Sequence, residues 1–300
     1  MHQGAGRKNL FRDKLESGIV LLQGAVPTVL QEYGYPLNQS YVSWIVDHPE
    51  AYHKVQQAYI DVGCDVVVAQ TGGANRLRLK EFGLESKAVE FTRSLAQLAK
   101  EAVPEGCCVE GILARTGQFM APAGDVTEDE LCEIYDEQVS VLVQEGVDYF
   151  RITESDPQVL RIMMKVIKDH TDLPIVATMS FNPTKKGYRS LVGVDPKSGA
   201  KALAEAGADV IGLICGGTSL EDATRVLNEM KEVCSIPLAA KPNAGIPELV
   251  DGKAVHPATP EQMGSECVKW VESGAKVIGG CCGTTPEHMA MVARAVKAIR

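Results

Sequence analysis

Three cysteines are the residues best equipped for chemistry. Cys281 and Cys282 lie in Gly279-Gly280-Cys281-Cys282-Gly283-Thr284-Thr285-Pro286, and Cys215 lies in Gly212-Leu213-Ile214-Cys215-Gly216-Gly217. Thiolates are soft ligands that suit zinc, and three of them with a fourth position open mark a catalytic rather than a structural site. Neighbouring cysteines on a regular strand point to opposite faces. The flanking glycines let the backbone leave strand geometry, so both sulfurs can turn the same way. The plainer alternative is a buried thiol packed as a small apolar side chain. That reading is given to Cys64, Cys132, Cys234 and Cys267, on helices or helix ends, while Cys107 and Cys108 begin a strand at the opposite end and are taken as incidental.

The elements that must position the trio are eight short apolar runs, at 19–23, 65–70, 108–114, 149–153, 174–180, 210–215, 237–241 and 276–281. Most are continuous in Val, Ile, Leu and Ala rather than alternating, which suits parallel strands covered on both faces. Stretches with helical spacing separate them, such as Leu131, Ile134, Tyr135, Gln138, Val141 and Leu142. A repeated phrase precedes four of the runs: Val62-Gly63-Cys64-Asp65, Glu145-Gly146-Val147-Asp148, Ala206-Gly207-Ala208-Asp209 and Ser273-Gly274-Ala275-Lys276. Its glycine would close a helix in the left-handed conformation before the chain enters a strand. The pattern predicts an α/β fold, a single-domain (β/α)8 TIM barrel. The long irregular segments, 115–126, 182–196 and 243–259, all follow strands, on the rim where such barrels carry their active sites. Cys215 ends the sixth run and Cys281 the eighth, so the trio is expected to meet on that rim.

A chain of 300 residues fits one such barrel, read as residues 15–300 behind an N-terminal extension of 1–14. The net charge of −9, spread along the chain, argues against nucleic acid and anionic membrane as partners. No stretch is apolar enough to span a bilayer, and the basic start (Arg7, Lys8, Arg12, Lys14) lacks a hydrophobic signal core. Nine cysteines, an odd number, fit free thiols and metal ligands in a reducing compartment, so a cytoplasmic location is expected. Composition sets no oligomeric state, and a homo-oligomer is compatible with it.

The run Gly-Gly-Cys-Cys-Gly-Thr-Thr-Pro-x-His at 279–288 resembles the zinc-dependent homocysteine S-methyltransferase family, which includes betaine–homocysteine methyltransferase and the homocysteine domain of cobalamin-dependent methionine synthase. Supporting matches are Gly73-Ala74-Asn75-Arg76-Leu77, Thr178-Met179-Ser180-Phe181 and Pro242-Asn243-Ala244-Gly245-Ile246-Pro247, and the similarity runs from about Gly18 to Arg300. The resemblance implies Zn2+ held by Cys215, Cys281 and Cys282, with Asn243 as a candidate fourth, displaceable oxygen ligand. It implies transfer of a methyl group from a small-molecule donor or a corrinoid protein to a thiol, homocysteine being the default acceptor. A thiol with a pKa of roughly 8.5 is mostly protonated at neutral pH, and a metal supplies the thiolate. His288 is expected to be a helix-start residue rather than a catalyst.

The resemblance also implies a substrate site at Gln23, Gly24, Thr28, Arg115, Thr153 and Glu154, and here the chain departs from the family. The family's Asp-Gly-Ala-Met-Gly-Thr reads Gln23-Gly24-Ala25-Val26-Pro27-Thr28, and its Gly-Pro-Thr-Gly reads Ala114-Arg115-Thr116-Gly117. The strand-four glutamate position holds Thr153, with Glu154 displaced by one residue and therefore facing the other way. The asparagine before the first zinc cysteine is Ile214. These changes leave open a related methyltransferase whose pocket takes another substrate. From other classes, a phosphate-binding barrel and a non-catalytic zinc-binding barrel remain as alternatives.

Overall fold

The computed structural model describes residues 9–250 and 253–299; Arg7 and Lys8 of the basic start fall outside them. Each of the eight apolar runs coincides with one barrel strand, the eighth beginning one residue early: β1 Val20–Leu21, β2 Val66–Ala69, β3 Cys108–Ala114, β4 Tyr149–Thr153, β5 Ile175–Met179, β6 Val210–Ile214, β7 Leu238–Lys241 and β8 Ala275–Ile278. They form one parallel sheet in the order β1-β8-β7-β6-β5-β4-β3-β2, a nearly closed (β/α)8 barrel with its helices outside. Two antiparallel hairpins, Asn182–Thr184 with Gly187–Arg189 and Glu248–Val250 with Lys253–Val255, decorate the loops after β5 and β7. Among the described residues no helix is long and apolar enough to cross a membrane.

The repeated entry phrase has a physical basis that goes beyond its glycine. Gly63, Gly146, Gly207 and Gly274 all take positive φ, as the helix-closing role requires. The aspartate that follows reaches sideways to the preceding strand. Asp65 accepts from Leu21 N (2.8 Å), Asp148 from Val109 N (2.7 Å) and Asp209 from Ile175 N (2.9 Å). Asp65 N also donates to Leu21 O (2.7 Å), so this residue bridges the seam between β1 and β2 that the ladder leaves open. The fourth phrase carries Lys276 instead, and β8 there shifts register against β7 between Ala275 and Val277.

Alternate residues of the strands point into the barrel. Val20, Val66, Val68, Cys108, Ile112, Tyr149, Val176, Val210, Ala239 and Val277 form one interior cluster with Phe11. Phe11 comes from the helix Leu10–Ser17, which crosses the boundary drawn at 14/15. Its ring is fully buried and stacks on Tyr149 at 3.9 Å between centroids. Asn9 donates to Asp148 O (2.9 Å), Arg12 to Asp172 O (2.9 Å) and Lys14 pairs with Asp65 (2.7 Å). This helix therefore stoppers the end of the barrel where the strands begin. The opposite end, where the strands finish, carries the cysteines.

Candidate metal centre

Cys215 directly follows β6 and has φ of 54°, the one positive φ outside glycine among the described residues. Gly216 follows at φ 80°, and a Cβ there would lie 2.3 Å from Phe181 O, so only glycine fits. Two consecutive left-handed residues turn the chain off the strand while Cys215 N still donates to Lys241 O (3.1 Å). At the end of β8, Gly279 and Gly280 leave the regular ladder, and Cys281 N donates to Pro242 O (2.8 Å). Ala244 N donates to Cys282 O (3.0 Å), so both cysteines are pinned to the loop after β7, while Thr284 Oγ1 donates to Cys281 O (2.6 Å) within their own turn.

The result is a sulfur triangle. Cys215 Sγ lies 3.8 Å from Cys282 Sγ, Cys282 Sγ lies 4.0 Å from Cys281 Sγ, and all three sit within 4.8 Å of one another. Zinc–sulfur bonds of about 2.3 Å at tetrahedral angles place sulfurs about 3.8 Å apart, so the triangle fits a zinc-sized ion. The protons are unevenly shared. The Cys215 thiol is pulled well below its ordinary range because Cys281 and Cys282 both hydrogen-bond to it. Cys281 is pushed up by its bonds with Cys215 and Cys282 and by burial, and Cys282 is raised to about 11, first by its bond with Cys215. Asn243, also in the loop after β7, donates through Nδ2 to Gly216 O (3.0 Å), while its buried Oδ1 has no hydrogen-bond partner among the described residues. A buried acceptor left unpaired beside thiolates is what a coordinating oxygen looks like before its cation is added.

Two cavities meet at the trio, with Cys281 and Cys282 in the wall of both. The outer one, of about 540 Å³, is lined by Arg115, Glu154, Asn182, Cys215, Asn243 and His256 and opens toward the loops. The inner one, of about 260 Å³, lies within the barrel mouth and is lined by Gly24, Thr28, Tyr41, Gln70, Arg151, Thr153 and Lys241. Of the residues expected in a substrate site, Gly24, Thr28 and Thr153 thus face the inner cavity, and Arg115 and Glu154 the outer one. Gln23 lines neither: it is fully buried in the wall, and its amide donates to Gln56 Oε1 on the helix Pro49–Asp61 (2.7 Å). Thr153 ends β4 facing inward, bonded to Arg151 Nη1 (3.1 Å) and Thr178 Oγ1 (2.9 Å). Glu154 lies beyond the strand, and burial raises its carboxyl above the usual range. His288 caps its own helix with Thr285 and bonds Ala258 O (2.9 Å), so it serves structure.

Charged residues inside the barrel were not singled out from the sequence. Glu110 is fully buried; Tyr149 Oη donates to it, and Arg151 Nε bonds it at 2.9 Å. Lys241 Nζ donates to Gln23 O (2.6 Å) and to Gly280 O, and burial, followed by the neighbouring Arg151 charge, pulls its pKa down to about 8.

A sequence model of homocysteine S-methyltransferases matches residues 20–296. The chain belongs to the homocysteine S-methyltransferase family. Membership makes it a methyltransferase, and structural similarity agrees with the fold. The metallated form of the homocysteine methyltransferase MmuM from Escherichia coli is similar at a TM-score of 0.78, with 20% identity over 97% of this chain and 100% of that one. A methyltransferase from Methanosarcina mazei is similar at 0.59, with 11% identity over 97% and 98% of the two chains. Of the four positions expected to depart from the family's pattern, Arg115, Thr153 and Ile214 line the cavities at the sulfur triangle and Gln23 lies in the wall, its carbonyl bonded by Lys241.

Proposed function

We propose that this family member is a zinc enzyme that moves a methyl group from a methylated donor to a thiol, with homocysteine as the family's default acceptor. One observation carries the reading: the sulfur triangle, with zinc-like spacing, sits where an inner and an outer cavity meet. Cys215, Cys281 and Cys282 would hold the ion and Asn243 would offer a fourth, displaceable oxygen. Zinc, when bound, supplies the charge that keeps the acceptor sulfur a thiolate at neutral pH. The chain's residues do the rest. The inner cavity holds the acceptor so that its sulfur reaches the triangle, and the outer cavity presents the donor's methyl carbon from the opposite side. A sulfur lone pair forms the new S–C bond as the carbon's bond to the donor breaks, its electron pair leaving on the donor. Such an in-line displacement needs alignment more than acid–base help.

The exposed apolar residues Phe119, Leu191, Val192, Ile246 and Leu249 stand on the loops after β3, β5 and β7. They favour a second version of the donor half, a methyl group delivered by a corrinoid protein seated on this rim; metal and acceptor are unchanged. The test is metal analysis with methyl-transfer assays. Wild-type protein should bind one zinc per chain, and Cys281→Ala or Cys282→Ala should weaken that binding more than tenfold and reduce methyl transfer at least a thousandfold, with circular dichroism unchanged. Full activity in a zinc-free Cys281→Ala protein would refute the reading.

A further inference from the structure

The inner cavity is lined by two charged groups beside the cysteines, and both are cations. Arg151 and Lys241 are 6% and 5% exposed and meet in its wall. Glu110, the carboxylate bonded to Arg151, is 0% exposed, is also engaged by Tyr149, and does not line the cavity. Glu154 opens to the outer cavity instead. Both cations keep donors in reserve. Lys241 uses two of its three N–H groups on backbone carbonyls, and Arg151 bonds protein through Nε and Nη1, with no bond from Nη2 among the described residues. An amino-acid acceptor would bring one carboxylate and one ammonium into this space. The carboxylate finds two buried cations, whereas among the described lining residues the ammonium finds no carboxylate, only neutral oxygens such as Thr153 Oγ1 and the edge of the thiolate cluster that the cations already offset.

We propose that the acceptor cavity recognises its thiol through an anionic group, a carboxylate or sulfonate bound by Arg151 and Lys241, and that an α-ammonium contributes little, so the acceptor class is the short anionic thiol. This rests on the thiol-acceptor reading above. A charge-assisted hydrogen bond in a buried site contributes about 1.5–3 kcal/mol, roughly ten- to a hundredfold in affinity. The competing role for the two cations is to offset the negative charge of the metal–thiolate cluster alone, because both also feel the Cys281 charge.

The test compares three thiols on the zinc-loaded protein by isothermal titration calorimetry: L-homocysteine, γ-mercaptobutyrate, which lacks its amino group, and mercaptopropylamine, which lacks its carboxylate. The expected result is that γ-mercaptobutyrate binds within about threefold of homocysteine and mercaptopropylamine at least tenfold more weakly. In Lys241→Met the loss should fall on the two carboxylate ligands, with mercaptopropylamine changed less than threefold; the amine thus controls for any shift of the Gly280 backbone. Equal binding of mercaptopropylamine and γ-mercaptobutyrate, or tighter binding of the amine, overturns the proposal while leaving the thiol-acceptor reading standing. If none of the three binds although one zinc per chain is retained, the thiol-acceptor reading itself falls, and this proposal with it.

Discussion

At the scale of single residues, the buried Glu110–Arg151 pair sets the tightest constraint. Removing one partner of a buried ion pair strands the other, which costs about 3–5 kcal/mol, whereas neutralising both is far milder. Arg151→Met should therefore lower stability by about that amount in urea titrations, and Arg151→Met combined with Glu110→Gln should recover most of it. A single mutant as stable as wild type would show the pair to be ornamental. The cysteine trio was legible in the sequence because adjacent cysteines among glycines at a strand end suit a shared site. Arg151 and Lys241 were equally visible as letters but not as a site. Their signal was parity: a charge inside a strand covered on both faces must point into the barrel, two residues from another inward side chain. Gln23 shows the limit of reading by family position, since its side chain turns into the wall toward Gln56 while its neighbour Gly24 faces the cavity.

Among the elements, the eight strands could be read directly, since each apolar run held one and only its ends moved. The helix Leu10–Ser17 could not, because its eight residues, LFRDKLES, look like a charged leader until the barrel end they fill is known. Its contribution is concentrated in Phe11. Phe11→Ala would leave a hole against Tyr149 and should cost about 3 kcal/mol, near the lower end for buried aromatic truncations. Chemical denaturation would check this, and a loss below about 1 kcal/mol would mean the helix merely leans on the barrel. The entry aspartates were half legible. Their glycines announced helix ends, but the sideways hydrogen bond to the preceding strand depends on strand order, which no local pattern encodes. Three of the four phrases end in aspartate and make that bond; the fourth ends in Lys276, and the register shifts there.

For the whole molecule, the stopper at the strand-entry end has a kinetic consequence. With Phe11 closing that end, the inner cavity opens on the rim where the strands finish, beside the outer cavity and the cysteines that line both. If a donor seated over the outer cavity also covers the mouth of the inner one, the two reactants must queue. The acceptor goes in first because the donor, once seated, covers the way; the spent donor leaves first and the methylated thiol last. Steady-state kinetics should thus be ordered sequential rather than random. The methylated thioether should inhibit competitively against the acceptor thiol and noncompetitively against the donor. The opposite assignment in product-inhibition plots would mean that a second entrance opens during turnover. A cork at one end of the barrel thereby dictates the order of events at the other.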